Sequence, residues 1–303
     1  MTTSAGPLLD AGRLRLLREV GLRGSIAGAA RSLGLTPSAV SQQLAVLERE
    51  AGTPLVDRSQ RGVALTGAGH ALAARATELL DVLTSARADL ERISGAVVGP
   101  VAVAAVASAA ATVVSDALHG LRDQNPGIEV SVRTAEPYLA LDLLAAGDID
   151  LAVVDEYDYV PLAVPDYVEA RPLCTEPLLL VRPAGVRRPA RVALADLADD
   201  DWVMPPDDAA CGQAVRAACR AAGFEPRVRW ETDDMLLLVR AVAAGYGVAV
   251  LPRRSVAVDA AAVRTSALRE PTLNRRLIAV ARSSAMARPV VAAVVDSLVR
   301  AAS

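Results

Sequence analysis

Apolar residues recur every three or four positions near the N-terminus, which predicts three short helices. The first covers about residues 10–22. The second covers about 26–33, where Ser25 is a suitable N-cap and Gly34 a suitable left-handed end. The third begins near Thr36-Pro37, because threonine caps helices and proline fits the first turn. The inward-facing residues of the first and third helices are Leu14, Leu17, Val20, Val40, Leu44 and Leu47.

The outward face of the third predicted helix is polar, and two short extended segments follow it. That face carries Ser38, Ser41, Gln42, Gln43 and Arg49. Residues 55–58 and 63–66 are typical of strands, and the turn between them contains a glycine. Three helices followed by a hairpin predict a winged helix-turn-helix over residues 1–66.

A long amphipathic segment follows, from about residue 68 to residue 94. Its apolar positions are separated alternately by four and three residues, as in the seam of a coiled coil. This pattern favours a dimerisation helix over residues 67–95, and the alternative is a helix that packs on its own domain. The seam consists of Leu72, Ala76, Leu79, Leu83, Ala86, Leu90 and Ile93, and its large members Leu72, Leu79, Leu83, Leu90 and Ile93 are the predicted dimer contacts.

Predicted strands and helices alternate over residues 96–303, which indicates an α/β fold with mostly parallel sheets covered by helices. Two such runs predict two lobes with a cleft between them. Lobe I is expected to cover 96–168 and 270–303, and lobe II to cover 169–269.

Charge is unevenly distributed along the chain. The 303 residues carry a net charge of -3, and all 32 basic residues are arginine. Residues 1–66 contain eight arginines against five acidic residues, a net charge of +3, so the remainder carries -6. A basic head on an acidic body fits a small DNA-binding domain attached to a domain that does not touch DNA.

The cysteines and the apolar segments indicate a cytoplasmic protein. Cys174, Cys211 and Cys219 are odd in number and lack the spacing of a disulfide framework. The N-terminus lacks the apolar core of a signal peptide, and the longest apolar run, 96–114, fits a buried strand and helix better than a membrane span.

An ordered set of N-terminal residues resembles the LysR-type transcriptional regulators. The similarity runs through Gly24-Ser25-Ile26, Ala29-Ala30-Arg31-Ser32-Leu33, Thr36-Pro37-Ser38-Ala39-Val40-Ser41-Gln42-Gln43-Leu44, Gly52-Thr53-Pro54-Leu55-Val56-Asp57-Arg58 and Leu65-Thr66-Gly67-Ala68-Gly69. Leu17 and Val56 stand where the family often has phenylalanine. The similarity is weaker over 125–126, 144–152 and 242–252.

This resemblance implies a winged helix-turn-helix, a long linker helix and a two-lobed periplasmic-binding-protein-like effector domain. It implies a homodimer, commonly paired into a homotetramer, that binds an inverted repeat in double-stranded operator DNA. A small-molecule effector is expected, and RNA polymerase is allowed as a further partner. No cofactor, metal or membrane is expected.

The predicted DNA contacts come from the third helix, its neighbour and the wing. Short polar side chains and glutamine suit base edges in the major groove, and arginine suits phosphates. The residues are Arg31, Thr36, Pro37, Ser38, Ser41, Gln42, Gln43, Arg58, Arg61 and Thr66. Arg58 is expected to contact phosphate without regard to sequence.

The predicted effector contacts follow strand ends, where α/β folds bind ligands. They are Ser108, Glu136, Pro205, Asp207, Thr232 and Asp233. Helix N-termini at such a junction suit a small anion. For each residue, capping or turn formation is an equally good explanation.

Two other functions are weaker alternatives. Cys211 and Cys219 could form a thiol-based redox sensor, but eight residues on one helix place them roughly 12 Å apart, too far for a disulfide. A solute-binding protein is the alternative from a different class, and the DNA-binding segment argues against it. An enzyme is not expected, because Gly245-Tyr246-Gly247 is an isolated motif and His70 and His119 stand alone.

Overall fold

The computed structural model describes residues 9–59, 62–95, 97–256, 263–269 and 272–303. They form two compact units. The first comprises the described part of Met1–Ala96 with Asp142–Ile149 and Ser283–Pro289, and the second comprises the described parts of Val97–Leu141, Asp150–Arg282 and Val290–Ser303. The chain divides after residue 96, and two short later segments group with the first unit.

The first unit contains the predicted winged helix-turn-helix. Its elements are α1 (Ala11–Arg23), α2 (Ile26–Leu33), α3 (Pro37–Ala51) and the antiparallel strands β1 (Val56–Ser59) and β2 (Gly62–Leu65). Ser25 caps α2 and Gly34 ends it in the left-handed region, both as predicted. Leu17, Val40 and Leu44 are fully buried where the three helices meet. Leu17, which stands where the resembling family often has phenylalanine, fills this position in the core with an aliphatic side chain.

Helix α4 (Gly67–Ser94) follows the wing directly, and its first turn packs closely against the backbone before β1. Thr66 caps the helix, because its hydroxyl accepts from the backbone N–H of Gly69 at 3.0 Å and donates to the carbonyl of Pro54 at 2.8 Å. A Cβ atom at Gly69 would lie 2.0 Å from the carbonyl oxygen of Leu55. Only glycine therefore fits where the first turn of α4 meets the backbone before β1.

The predicted seam on α4 is divided between two environments. Ala76 is fully buried and Leu72 is partly buried against the core of the winged helix-turn-helix. The later seam positions are exposed, from 37% at Leu79 to 82% at Ile93. Leu72 therefore packs partly within its own unit, and its role as a dimer contact stays a prediction. The exposed apolar surface begins at Leu79.

Lobe I of the second unit is built on a mixed sheet. The strands are ordered β4 (Ile128–Thr134), β3 (Gly99–Ala105), β5 (Leu151–Tyr157), β12 (Asn274–Arg282) and the first part of β6 (Val168–Pro183). Strands β3, β4 and β5 are parallel, whereas β12 is antiparallel to β5 and β6. The helices are α5 (Ala107–Ala109), which continues through a π-helical turn (Ala110–Val114) into α6 (Ser115–Gln124), then α7 (Pro137–Ala146) and α12 (Pro289–Ala302).

Lobe II uses the second part of β6. Strands β10 (Ala249–Pro252) and β11 (Val263–Leu268) pair antiparallel with Leu178–Pro183, and β11 pairs with β7 (Arg191–Val192). Strands β8 (Asp201–Met204) and β9 (Arg227–Glu231) are parallel, and Trp202 bridges to Val248 before β10. Its helices are a 3-10 turn (Leu194–Leu197), α8 (Ala210–Ala221), α9 (Met235–Ala243) and α10 (Arg253–Val256), and α11 (Ser283–Met286) belongs to the first unit.

The lobe boundary differs from the predicted one between residues 168 and 169. Val168–Pro177 pairs with β12 in the sheet of lobe I, so the first lobe extends to Pro177 and lobe II begins at Leu178. The first half of β6 is rich in polar residues and prolines, so periodicity did not identify it as a strand. The prediction of mostly parallel sheets holds for β3–β5 and β8–β9 but not for the pairings of β6, β10 and β12.

Candidate functional site

Helix α3 presents a polar face outward on a buried apolar face. Thr36 caps it by accepting from the backbone N–H of Ala39 at 3.2 Å, and Pro37 is its first residue. Ser38, Gln42 and Gln43 are exposed, and Ser41 is half-buried. The predicted base-contacting side chains therefore share one outward face near the start of the helix, where helix-turn-helix proteins contact base edges.

Two ionic contacts fix α3 within the unit. The Glu48 carboxylate accepts from the backbone N–H groups of Leu55 and Val56, at 2.9 and 3.2 Å, and so ties α3 to β1. Arg13 on α1 forms a two-pronged pair with Glu50, at 2.8 and 3.1 Å. Bidentate pairs restrict geometry as well as adding energy, so the outward face of α3 is held in a defined direction.

The remaining predicted DNA contacts fall into three groups. Arg31 is exposed on α2. Thr66 uses its hydroxyl to cap α4 and to bond Pro54, and its contact with DNA stays a prediction. Arg61 lies outside the described residues, and so does the side chain of Arg58 on β1.

The strand ends of the two lobes enclose a cavity of about 600 Å³. Ser108 follows β3 and Glu136 follows β4, while Asp233 follows β9, and all three line it. Parallel strands place their carboxyl ends at one edge, which explains why these residues meet. An adjoining chamber of about 30 Å³ is lined by Pro205, after β8, together with Asp155 and Cys211. Four of the six predicted effector residues therefore lie at these hollows.

Asp207 and Thr232 do not line either hollow. Asp207 lies in an exposed turn before α8. The Thr232 hydroxyl accepts from the backbone N–H of Asp234 at 3.2 Å, and Asp234 in turn caps α9. Turn and cap formation account for Thr232, and its prediction as an effector contact is not supported by its position.

A buried ionic network lies behind the cavity and was missed in the sequence. Arg275 on β12 is 0% exposed and donates through Nε to Glu176 at 2.9 Å. Its Nη1 donates to the Ser108 hydroxyl at 2.6 Å and approaches Asp155 at 3.4 Å. Asp155 also accepts from the Tyr157 hydroxyl at 2.9 Å. The available signal was an arginine close to the apolar residues 277–281, since arginine is almost never fully buried unless paired.

Burial and charge oppose each other in this network. Burial disfavours the charge of Arg275, but Tyr157, Glu176 and Asp155 outweigh it and raise the pKa of the guanidinium. Burial raises the pKa of Asp155 despite the opposing influence of Arg275. Partial burial raises the pKa of Glu136, and the negative charges of Asp155 and Asp233 raise it further. Ser108 lines the cavity, and its hydroxyl oxygen accepts a hydrogen bond from Arg275.

The two cysteines of α8 are packing residues in this arrangement. Cys211 and Cys219 are both buried in the apolar core of lobe II. Burial, then the charge of Asp155, raises the pKa of the Cys211 thiol to about 12. Burial, then Glu225, raises the pKa of Cys219 to about 12 as well. Since the thiolate is the reactive form, these surroundings disfavour the redox-sensor alternative.

Metal-binding clusters and membrane-spanning helices are absent from the part of the chain that the structure describes. No group of three or more His, Cys, Asp or Glu side chains there could hold a metal ion. In the same residues, no helix has the length and apolar character needed to cross a membrane.

A winged helix-turn-helix with a polar α3 face and a two-lobed domain with a cavity define a ligand-responsive DNA-binding regulator. Two family models match the chain: a bacterial regulatory helix-turn-helix protein of the lysR family over residues 12–70, and a LysR substrate binding domain over residues 94–303. The chain belongs to the LysR family of transcriptional regulators, as the N-terminal resemblance predicted.

Individual relatives agree with this assignment. The chain is 32% identical over 273 residues to the small neutral protease regulatory protein of Streptomyces coelicolor, covering 88% of this chain and 84% of that protein. It is 30% identical over 243 residues to the nitrogen assimilation regulatory protein nac of Klebsiella aerogenes, covering 79% and 77%.

Solved structures show the same fold. Full-length OxyR C199D from Pseudomonas aeruginosa aligns with a TM-score of 0.74 at 21% identity, over 96% of this chain and 95% of that chain. Full-length CbnR complexed with its target DNA aligns with a TM-score of 0.58 at 22% identity, over 97% and 100%. These likenesses extend over both units.

Proposed function

We propose that this regulator binds an operator inverted repeat as a dimer through α3, under the control of a small molecule in the cavity of the second unit. The observation that supports DNA binding is the exposed row of Ser38, Gln42 and Gln43 on a helix whose other face is fully buried. Serine and glutamine side chains are short enough to reach base edges while the helix lies in the major groove.

Gln43 and Arg31 are expected to differ in what they contribute. Gln43→Ala removes a side chain that can pair bidentately with adenine, so specific operator binding should weaken by about 1–3 kcal/mol while non-specific binding barely changes. Arg31→Ala removes a phosphate contact, so specific and non-specific binding should both weaken. The slope of log affinity against log salt concentration should fall by about one. Binding to sites selected from random DNA and to scrambled DNA, measured over a range of salt concentrations, checks both.

Each variant is the matched control for the other, since both are exposed surface changes in one unit. An equal loss on selected and scrambled DNA for Gln43→Ala would contradict its role in base recognition. An unchanged salt slope for Arg31→Ala would contradict a phosphate contact.

The proposed dimer uses the exposed part of the α4 seam. Leu79, Leu83, Leu90 and Ile93, with the exposed Ala86 between them, form an apolar stripe, because these positions recur every three or four residues over four turns. Ala88, on the opposite side of the helix, is fully buried. The stripe is therefore the side of α4 left for a second copy of the chain, and pairing two copies would present two α3 helices to an inverted repeat.

Leu83→Asp combined with Leu90→Asp is expected to convert the dimer to a monomer, because two buried charges per helix would lie in the interface. Sedimentation velocity at micromolar concentration measures this. Arg92→Asp is the control, because Arg92 is exposed near the same end of α4 but on its opposite side. A double variant that stays dimeric would place the interface elsewhere.

Control by ligand would act through the two lobes. They are joined by β6, which runs from one sheet into the other, and by the return segment into β12. A ligand that favours one lobe arrangement would shift the population of that state and so the geometry of paired dimers on DNA. Family membership supports a cytoplasmic, non-enzymatic protein, with operator DNA, a small-molecule effector and RNA polymerase as partners.

A further inference from the structure

The cavity of the second unit is acidic, although its helix N-termini suggested a small anion. Among the described residues that line it are three carboxylate side chains, those of Glu136, Asp233 and Asp234, and no arginine or histidine. The sequence contains no lysine. Its character is therefore opposite to that of a site built for a carboxylate or phosphate.

The nearby guanidinium does not reverse this balance. Arg275 is the basic side chain of the network behind the cavity, and its donors are directed at Glu176, Ser108 and Asp155. Two carboxylates already face its single positive charge. Arg275 is also fully buried and does not line the cavity, so a bound anion would have no free charged donor there.

The backbone contributes positive charge to the cavity where a helix begins at Ala107. This helix begins at the cavity after Val106, which gives no side-chain cap. A helix N-terminus is equivalent to roughly half a positive charge. The whole negative charges of Glu136 and Asp233 exceed it, and Asp234 already accepts from the N-terminal amides of α9.

A separate observation points to a ligand with a polar hydrogen. Ser255 lines the cavity and is only 2% exposed, yet its hydroxyl oxygen has no hydrogen-bond partner among the described residues. A buried polar atom without a partner costs free energy, so such atoms normally have one. The cavity also has an apolar wall, with Leu139, Met235 and Leu236.

We propose that the effector is a small organic cation: an amine or guanidine whose charged nitrogen lies between Glu136 and Asp233, with a polar hydrogen directed at Ser255 and an apolar body against Leu139 and Met235. This inference rests on the proposed function, because it names the chemistry of the molecule that occupies the same cavity. Charge-assisted hydrogen bonds to the two carboxylates would supply orientation, and the apolar wall would supply contact area.

The test uses the full-length protein and pairs of probes matched in size but opposite in charge. They are pentylamine with pentanoate, cadaverine with pimelate, and phenethylamine with 3-phenylpropanoate. Calorimetric titration should detect binding of at least one amine and none of its matched acid. Glu136→Gln and Asp233→Asn should each weaken that amine about tenfold or more, as expected for a hydrogen bond to a charged group.

Two variants locate the probe. Ser255→Val should weaken the bound amine, whereas Glu129→Gln should leave its affinity unchanged, because Glu129 is exposed on β4 and does not line the cavity. Binding of no amine, or an amine affinity insensitive to both Glu136→Gln and Asp233→Asn, overturns the proposal. If an acid binds and Ser255→Val weakens its binding, the assignment of a cationic effector fails, while the proposal that the effector binds in this cavity is retained. If an amine binds as expected but operator binding does not respond, the regulatory role fails and the ligand class stands.

Discussion

Arg275→Met is expected to lower the free energy of unfolding of the second unit by about 3–5 kcal/mol, the cost of leaving buried charges without their partner. Arg275 is fully buried, and its removal leaves the buried carboxylates of Glu176 and Asp155 without their shared cation. Methionine retains the length of the side chain, so the loss should reflect charge more than volume. Both tryptophans, Trp202 and Trp230, lie in lobe II, so fluorescence during urea denaturation follows this unit.

Arg276→Met is the matched control for this variant. Arg276 is the next residue on β12 and also pairs with two carboxylates, those of Glu156 and Asp158, but its side chain is 38% exposed. Exposed pairs typically contribute 0–1 kcal/mol, so a small effect is expected. Equal losses for the two variants would contradict the claim that burial sets the importance of Arg275.

The loss at Arg275 should also depend on pH. Arg275 opposes the burial that raises the pKa of Asp155, so removing it should raise that pKa further. A carboxyl whose folded-state pKa is raised costs stability above that pKa, and the cost disappears as the pH falls towards its unfolded value. The deficit of Arg275→Met relative to the wild type should therefore be larger at pH 8 than at pH 5.

Gly69→Ala is expected to destabilise the winged helix-turn-helix by about 3 kcal/mol, the upper part of the usual range for overpacking. The added Cβ atom would lie 2.0 Å from a backbone carbonyl, which cannot move aside as a side-chain end can. Because Thr66 and Gly69 together join the wing to α4, operator binding should be lost on warming. The tryptophan transition of the second unit should remain unchanged.

Gly67→Ala, two residues earlier, separates steric effects from helix propensity. Gly67 is the first residue of α4, and a Cβ atom there would meet nothing within 4 Å. Alanine is the stronger helix former, so this variant should be neutral or slightly stabilising. If both variants lost operator binding at the same temperature, the close contact at Leu55 would not explain the effect. Circular dichroism and operator binding as functions of temperature provide the measurement.

The helical parts of the fold were predictable because local signals agree with packing there. Thr36-Pro37 marks the start of α3 through capping, and Val40, Leu44 and Leu47 mark its buried face by spacing alone. Strand β6 was not predictable in the same way. Its first half lies in one sheet and its second half in another, so no single periodicity covers Val168–Pro183.

The cavity was predictable in position but not in chemistry. Ser108, Glu136 and Asp233 follow strand ends, and parallel sheets bring strand ends together. Arg275 is distant from all three in sequence, and its pairing with Glu176 requires the antiparallel register of β12 on β6. The helix N-termini suggested an anion, whereas the carboxylates of Glu136 and Asp233, both of them predicted contacts, make the cavity acidic.

The path of β6 makes lobe II an insertion within lobe I. The chain leaves the first sheet at Pro177 and returns at Asn274, directly opposite it, while the backbone N–H of Leu178 donates to the carbonyl of Leu273 at 2.8 Å. The two ends of the inserted part are therefore already adjacent, as at the base of a hairpin. We therefore expect that lobe II can be exchanged between relatives as one inserted segment. Half of the effector cavity would change in such an exchange without any alteration to the DNA-binding unit.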